Sequence, residues 1–270
     1  MPFCCLRLLS RGKTEDIERR RDARRKGVIA AESDFLLCGR ERNCISFSTN
    51  ELRAGRPGRN MSSQRNGMHQ SSYEKMILFK QKYLSSFIGK ELKILDFGSQ
   101  DINGAYRPVF EEPGWIYRGV DMVEGKNVDI ILHDPYRWRE IKSNSYDVFI
   151  SGQAFEHIEY FWLTMLEAVR VLRERGLCCI IAPSGGPEHR YPVDCYRFYR
   201  DGMAALANYA GMESLEAFTD WEPEDRYNDG SEEWKDSLLV ARKKHEGFMN
   251  KCIRGWHHLA LRAFLKSVSG

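Results

Sequence analysis

No run of apolar residues in this sequence approaches the roughly 18 to 20 that a helix needs to cross a bilayer. Residues 1–9 are also too short and too interrupted for a signal-peptide core. Together these absences set the expectation of a soluble, cytoplasmic protein without integral membrane contact. Metal-ligand cysteine spacing is missing as well. Of the eight cysteines, Cys4-Cys5 and Cys178-Cys179 are adjacent pairs, and Cys38, Cys44, Cys195 and Cys252 are scattered. Reduced thiols are the expectation, with Cys178 and Cys179 acting as small hydrophobes in an apolar segment.

Residues 1–67 are poor in aromatics, holding only Phe3, Phe35 and Phe47. They contain the block "ERRRDARRKG" and the stretch "RAGRPGRNMSSQRNG" and show no sustained period, so they read as a disordered extension. An Arg-rich transit peptide is one alternative. Glu15, Asp16, Glu18 and Asp22 argue against it, because such peptides are poor in acids. A translation start at Met61 or Met68 is another. The formal charge of +3 is concentrated in this segment, with 15 Lys/Arg against 8 Asp/Glu, which leaves 26 against 30 for the remainder. A nucleic-acid binder usually carries its basic excess on a folded face, so no nucleic-acid partner is expected.

What is present is an ordinary globular composition, 42% hydrophobic and 12% aromatic, in a chain of 270 residues that can bury one substantial core. Residues 68–245 read as that domain. In "SSYEKMILFKQKYLSSFIG", Met76, Phe79, Tyr83 and Phe87 recur at steps of three and four, with serine at the start and Gly89 at the end, which predicts an amphipathic helix. Short, nearly continuous apolar segments follow at 92–97, 115–121, 128–132, 146–151 and 176–183, as parallel strands covered on both faces require. Helices are expected from about Tyr160 to Arg173 and across Asp201 to Tyr209, and two last strands near 215–218 and 237–241 finish the sheet as a hairpin. The fold class is α/β: a doubly wound, Rossmann-like, seven-stranded and mostly parallel sheet with an antiparallel last strand and helices on both faces. Residues 246–270, with Phe248, Ile253, Trp256, Leu259, Ala263 and Phe264 near one face, predict a C-terminal amphipathic helix, for which docking on the domain is the commoner outcome and joining a partner or resting on a membrane surface are the alternatives.

A strand ending in an acid and followed by a tight glycine turn is where such a sheet binds nucleotides. Here the strand is "LKILD", ending at Asp96, and the turn runs through Gly98 and Ser99. The second strand ends at Asp121, 25 residues later, where an acid can reach both ribose hydroxyls. A nicotinamide dinucleotide would want three glycines around its pyrophosphate, and this turn offers only Gly98 and Gly104, with Gln100 between them. The residues therefore point to an adenosine-bearing cofactor without pyrophosphate.

The segments "ILDFGSQDINGAYRPVF", "YRGVDM", "YDVFISGQAFEHIEYFW", "RVLRERGLCCIIAPS" and "GPEHRYPVDCYRF" together resemble the class I S-adenosylmethionine-dependent methyltransferases of the type 11-like kind. The resemblance covers roughly Tyr73 to Arg242 and makes S-adenosylmethionine the expected cofactor. It implies that Asp96, Gly98, Ser99 and Gly104 surround the methionine part of the donor, that Asp121 holds the ribose and that Met122 lies against the adenine. Asp134 and Pro135 match the adenine-edge loop, and Gln153 and Phe155 match positions facing donor or substrate. Two features depart from the pattern. Gln100 replaces the usual second glycine, and only residues 123–127 separate the second and third strands, too few for the customary helix. Both resemble the "GSxDxNGxxR" variant, in which Asp101, Asn103 and Gly104 rebuild the loop.

A sulfonium methyl is already electrophilic, so transfer chiefly requires an acceptor held in line, with a base where the acceptor must lose a proton. The loop "PSGGPEHRYPVDCYRFY" concentrates Glu188, His189, Arg190, Tyr191, Asp194, Arg197 and Tyr199 at the active end of the sheet. His189 is the candidate base and Asp194 its partner. Arg190, Tyr191, Arg197 and Tyr199, with Phe155, Glu156 and His157 after the fourth strand, are candidate substrate contacts. Asp194 and Arg197 are equally well read as a pair that shapes the loop. His133, Glu156, His157, His189 and Asp194 have the chemistry of metal ligands, but their spacing matches no ligand pattern, so no metal is expected. The loop 219–234 reads as an exposed charged hairpin extension. The leading expectation is methyl transfer to a small-molecule acceptor such as a sugar or metabolite hydroxyl. A donor-binding protein without catalysis and a protein or RNA methyltransferase are the alternatives, the last lacking any aromatic-basic patch or Asn-Pro motif.

Overall fold

The computed structural model describes residues 69–221, 227, 229–245, 255–256, 259–261 and 263–264. The extension expected over 1–67 lies outside these residues, as does most of the expected C-terminal helix. Its described positions, 255–256, 259–261 and 263–264, are helical.

The first helix, α1 (Gln70–Phe79), continues through a π-helical turn at Lys80–Leu84 and a 3-10 turn at Ser85–Phe87. The extra residue of the π turn re-aims the buried face, so Leu84 joins Met76 and Phe79 in the core while Tyr83 and Phe87 are only partly covered. The serine cap is not made. His69 stands at the N-cap without a side-chain bond. Ser71 and Ser72 lie inside the helix, where their hydroxyls bond Asp236 and Tyr106, both at 2.6 Å. A tertiary partner outcompetes the local cap.

Strands β1 (Leu92–Phe97), β2 (Trp115–Asp121), β3 (Ile130–Ile131), β4 (Tyr146–Gly152), β5 (Leu172–Ala182), β6 (Met212–Thr219) and β7 (Ser237–Lys243) form one sheet in the order β3-β2-β1-β4-β5-β7-β6. The first five are parallel, and β7 enters antiparallel between β5 and β6. The central strands β1, β4 and β5 carry the apolar runs, since both their faces are covered. Helices α2 (Phe161–Val171) and α3 (Arg200–Tyr209) pack with the cluster around Phe97, Phe149 and Leu239, and α1 packs with the cluster around Ile94, Ile150 and Val240. These clusters are the two faces of the sheet.

The connections β1–β2, β2–β3 and β3–β4 hold no α-helix. Hydrogen bonds do the work of the missing helices. Residues 132–145 are pinned by Arg170 on α2, whose guanidinium donates to the carbonyls of Trp138 (2.7 Å) and Ile141 (2.9 Å), to Ser143 Oγ and to Glu167. Glu167 in turn accepts from Trp138 N at 2.9 Å. The Trp138 ring stacks on Phe97 at 5.2 Å, closing that side of the core. The chain order reverses between β1 and β4, which places the topological switch point at the carboxyl ends of those strands.

Candidate active site

Asp96 pairs in register with Gly119 on one side and Ile150 on the other, so the ends of β1, β2 and β4 lie level. The turn after β1 needs glycine twice over. Gly98 adopts φ +75°, and a Cβ there would sit 2.4 Å from that of Ala154 in the turn after β4. Its N–H and that of Ser99 donate to the Val120 carbonyl. Gly119 allows equally close approach on β2, where a Cβ would meet the Asn127 carbonyl at 2.0 Å and Ser99 Oγ at 2.5 Å.

The expected donor residues divide into those that face the turn and those that build it. Asp121 accepts from Gln100 N (3.1 Å) and Met122 N (2.7 Å), which ties its carboxylate to the glycine turn, and Met122 beside it is exposed. Asp134 accepts from Tyr136 N at 2.8 Å, forming a local turn, and the Pro135 carbonyl accepts from Trp138 Nε1 and Thr164 Oγ1. Gln153 has φ +56° and donates from Nε2 to Asp236 Oδ1 at 2.8 Å. Ser99 is buried, with its hydroxyl donated to the Asn127 carbonyl. Asp96 is also buried and accepts from the Tyr117 hydroxyl in a short hydrogen bond. Burial pushes the Asp96 carboxyl up to about 7, against the opposing effects of Tyr117 and Arg107.

The altered motif rebuilds itself with polar contacts. Gly104 N donates to Asp101 Oδ1, and Lys126 pairs with Asp101 Oδ2 at 2.5 Å, which holds the Asp101 carboxyl below its ordinary range. Arg107, at the end of "NGAYR", donates to Asn127 Oδ1 (2.6 Å) and Asp129 Oδ2 (2.7 Å) and lies 4.4 Å over the Tyr117 ring. Asn127 closes the ring by donating to the Ser99 carbonyl at 2.8 Å. Arg107, Asn127 and Asp129 thus support the donor turn in place of a helix after β2. Sequence reasoning passed over Arg107, although its place in the "GSxDxNGxxR" pattern is a signal that could have found it.

On the acceptor side, the loop after β5 is held against the turn after β4 by Cys195 N and Tyr196 N, which donate to the Glu156 carbonyl. That contact brings Glu156, His157 and His189 together, each offering one ligand-type atom, all within 4.8 Å of one another. Of the five residues with metal-ligand chemistry, these three converge. Among the described residues His133 and Asp194 are outside the group, His133 being paired with Glu140 at 2.7 Å. His157 Nδ1 lies 2.5 Å from the Val193 carbonyl. A carbonyl only accepts, so Nδ1 carries the proton and Nε2 presents its lone pair, 3.6 Å from Glu156 Oε1. Burial lowers the His157 pKa and pushes the Glu156 carboxyl up to about 8.

Asp194 accepts both Arg197 Nη1 (2.6 Å) and Nη2 (2.8 Å) and the backbone N–H of His189. The Arg197 guanidinium holds the Asp194 carboxyl well below the usual carboxylate range and donates its remaining protons to the carbonyls of Gly185, Pro187 and Tyr196. The pair therefore shapes the loop. His189 Nδ1 stands 3.4 Å from Asp194 Oδ2, beyond direct bonding distance in its present orientation. Arg190 is exposed and paired with Glu188, Tyr191 lies 6.5 Å from the His157 ring, and Tyr199 stacks on Trp221 at 5.7 Å. Phe155 is fully buried, edge-on to Phe97, and supports the turn from within the core. The described part of 219–234 is more than an exposed extension. Ser231 is buried, and the Trp234 ring meets His189 at 4.5 Å and His69 at 5.2 Å, forming one wall of the site.

A Rossmann-like sheet with a glycine turn after β1, an acid ending β2 and a polar cluster after β4 and β5 has the architecture that binds nucleotide-bearing ligands at the carboxyl ends of its strands. The family model described as "Methyltransferase domain" matches residues 97–180, from the end of β1 into β5. Among solved structures, the 4+2 cyclase SpnF is 14% identical and aligns with a TM-score of 0.50 over 68% of this chain and 85% of its own. A 1,6-didemethyltoxoflavin-N1-methyltransferase from Burkholderia thailandensis, bound to 1,6-didemethyltoxoflavin and S-adenosylhomocysteine, is 14% identical over 65% of this chain and 80% of its own, with a TM-score of 0.49. At these identities the likeness concerns the fold alone. A search of curated proteins finds no match.

Proposed function

We propose that this protein transfers the methyl group of S-adenosylmethionine to a hydroxyl of a small molecule, with a sugar or similar metabolite as the acceptor class. The observation that carries the reading is the contact of Gly98 with Ala154, which sets the donor turn two residues from Glu156 and hence beside the His157/His189 cluster.

The residues fit the donor. Gly98 and Gly104, with positive φ, leave the turn free of Cβ atoms on that side, Asp121 keeps unused lone pairs for ribose hydroxyls, and Met122 offers an exposed apolar surface to adenine. When bound, S-adenosylmethionine supplies an electrophilic methyl, whose transfer breaks the S–CH3 bond, forms an O–CH3 bond and leaves S-adenosylhomocysteine. His189 takes the acceptor's proton, Trp234 and Tyr191 shield the reacting oxygen from water, and the Asp194–Arg197 pair keeps the loop in place. The acidic balance of residues 68–270, 26 Lys/Arg against 30 Asp/Glu, supports a small acceptor over a nucleic acid.

The test is methylation of a cell extract with labelled donor, followed by separation into small and large molecules. Label is expected in the small-molecule fraction. It should fall on the order of 100-fold with His189→Ala at unchanged donor affinity. Label confined to macromolecules, or no donor binding by calorimetry, would sink the proposal.

A further inference from the structure

Glu156 is fully buried, and among the described residues neither of its carboxylate oxygens accepts a hydrogen bond. A buried carboxylate without hydrogen bonds is costly in its charged form, and cations or paired donors are the usual remedy. Arg197, whose positive charge acts on it, spends its protons on Asp194 and three backbone carbonyls. Two further carboxylates, Asp194 and Asp236, add negative potential around Glu156. Aimed at the same point are two imidazoles. His157 has its Nε2 lone pair free because Nδ1–H is donated to the Val193 carbonyl, the outer-shell arrangement that orients metal-bound histidines. His189 has a buried Nδ1 without a hydrogen-bond partner.

We propose that Glu156, His157 and His189 form a binding site for one divalent transition-metal ion of the zinc class. Two imidazoles and one carboxylate are a borderline ligand set that suits zinc, cobalt, iron or manganese better than calcium or magnesium. Three protein ligands leave a fourth position open toward the acceptor side. Ligand atoms around a tetrahedral ion at about 2.0–2.1 Å lie about 3.3 Å apart. The 3.6 Å between His157 Nε2 and Glu156 Oε1 is close to this, and the three ligand atoms all lie within 4.8 Å of one another, a spread that small side-chain rotations can close. The site stands whether or not methyl transfer is the reaction. A bound ion would also make His189 a ligand, so loss of transfer in His189→Ala alone does not separate the two roles.

The experiment titrates Co2+ into the full chain after chelator treatment, followed by visible absorbance, with Zn2+ as competitor. The expected result is saturation at one equivalent, displacement by Zn2+, and no intense sulfur-to-cobalt band in the near ultraviolet. His157→Ala and His189→Ala, at partly exposed positions, should each weaken binding by at least about tenfold, and Glu156→Gln likewise. Donor calorimetry on the same variants reports their folding independently. No uptake of either ion, a sulfur band that places the ion on cysteine, or undiminished affinity in both histidine variants overturns the site.

Discussion

Gly98 carries two constraints at once, a left-handed backbone and an Ala154 side chain so close that an added Cβ would sit 2.4 Å from it, and no other residue satisfies both. Gly98→Ala should cost about 1–3 kcal/mol of stability and weaken donor binding at least about tenfold, read by thermal unfolding and calorimetry. Donor affinity equal to the wild type would remove Gly98 from the site. Asp96 makes a pH prediction. Its carboxyl is raised from 3.8 to about 7, chiefly by burial, in the company of Tyr117, Arg107 and Asp121. The native state thus binds the proton more tightly than the unfolded chain, so this group's contribution is full below pH 3.8 and is lost as pH rises through about 7. Asp96→Asn keeps an acceptor for Tyr117 and removes the titration. The stability of wild type relative to this variant should fall by on the order of 3 kcal/mol across that window, measured by urea unfolding at several pH values. A pH-independent difference would refute it. The positions of Gly98 and Asp121 at the ends of β1 and β2 were legible in the sequence because strand ends and local spacing mark them. Arg107 was not, because its guanidinium acts on Asn127 and Asp129, across a gap that no periodicity marks.

At the scale of elements, apolar runs located β1, β2 and β4 closely, since a strand covered on both faces has a composition to match. The reading failed where tertiary contacts override local preference. Ser71 and Ser72 looked like a helix cap and instead lie within α1, bonded to Asp236 and Tyr106. The third strand shrank to Ile130–Ile131, an edge with a single neighbour. The long β3–β4 connection depends on one side chain of α2. Arg170→Ala strips donors from the carbonyls of Trp138 and Ile141 and removes the Arg170 ion pair from the buried Glu167, so about 2–4 kcal/mol should be lost. Chemical denaturation measures this, and a change below about 0.5 kcal/mol would show that the loop holds without it.

For the molecule as a whole, a donor bound as proposed would bridge the ends of β1, β2 and β4, so binding should couple to global unfolding. A ligand that binds only the native state at 100 times its Kd adds about 2.7 kcal/mol. The melting temperature should therefore rise with both S-adenosylmethionine and S-adenosylhomocysteine, and should rise about half as much or less in Gly98→Ala at the same concentration. A melting temperature indifferent to both ligands in the wild type would contradict the donor site.

The sequence by itself determined the sheet, its parallel core and the glycine turn after β1, because strand periodicity, glycine placement and the spacing of Asp96 and Asp121 are local properties of the chain. Only the tertiary structure decided which side chains gather after β4 and β5. Glu156 and His157 follow β4, whereas His189 follows β5. They meet because parallel pairing of those strands levels their ends and the Glu156 carbonyl accepts Cys195 N and Tyr196 N. Convergence across separate loops is a product of sheet register, and residue spacing along one chain does not encode it.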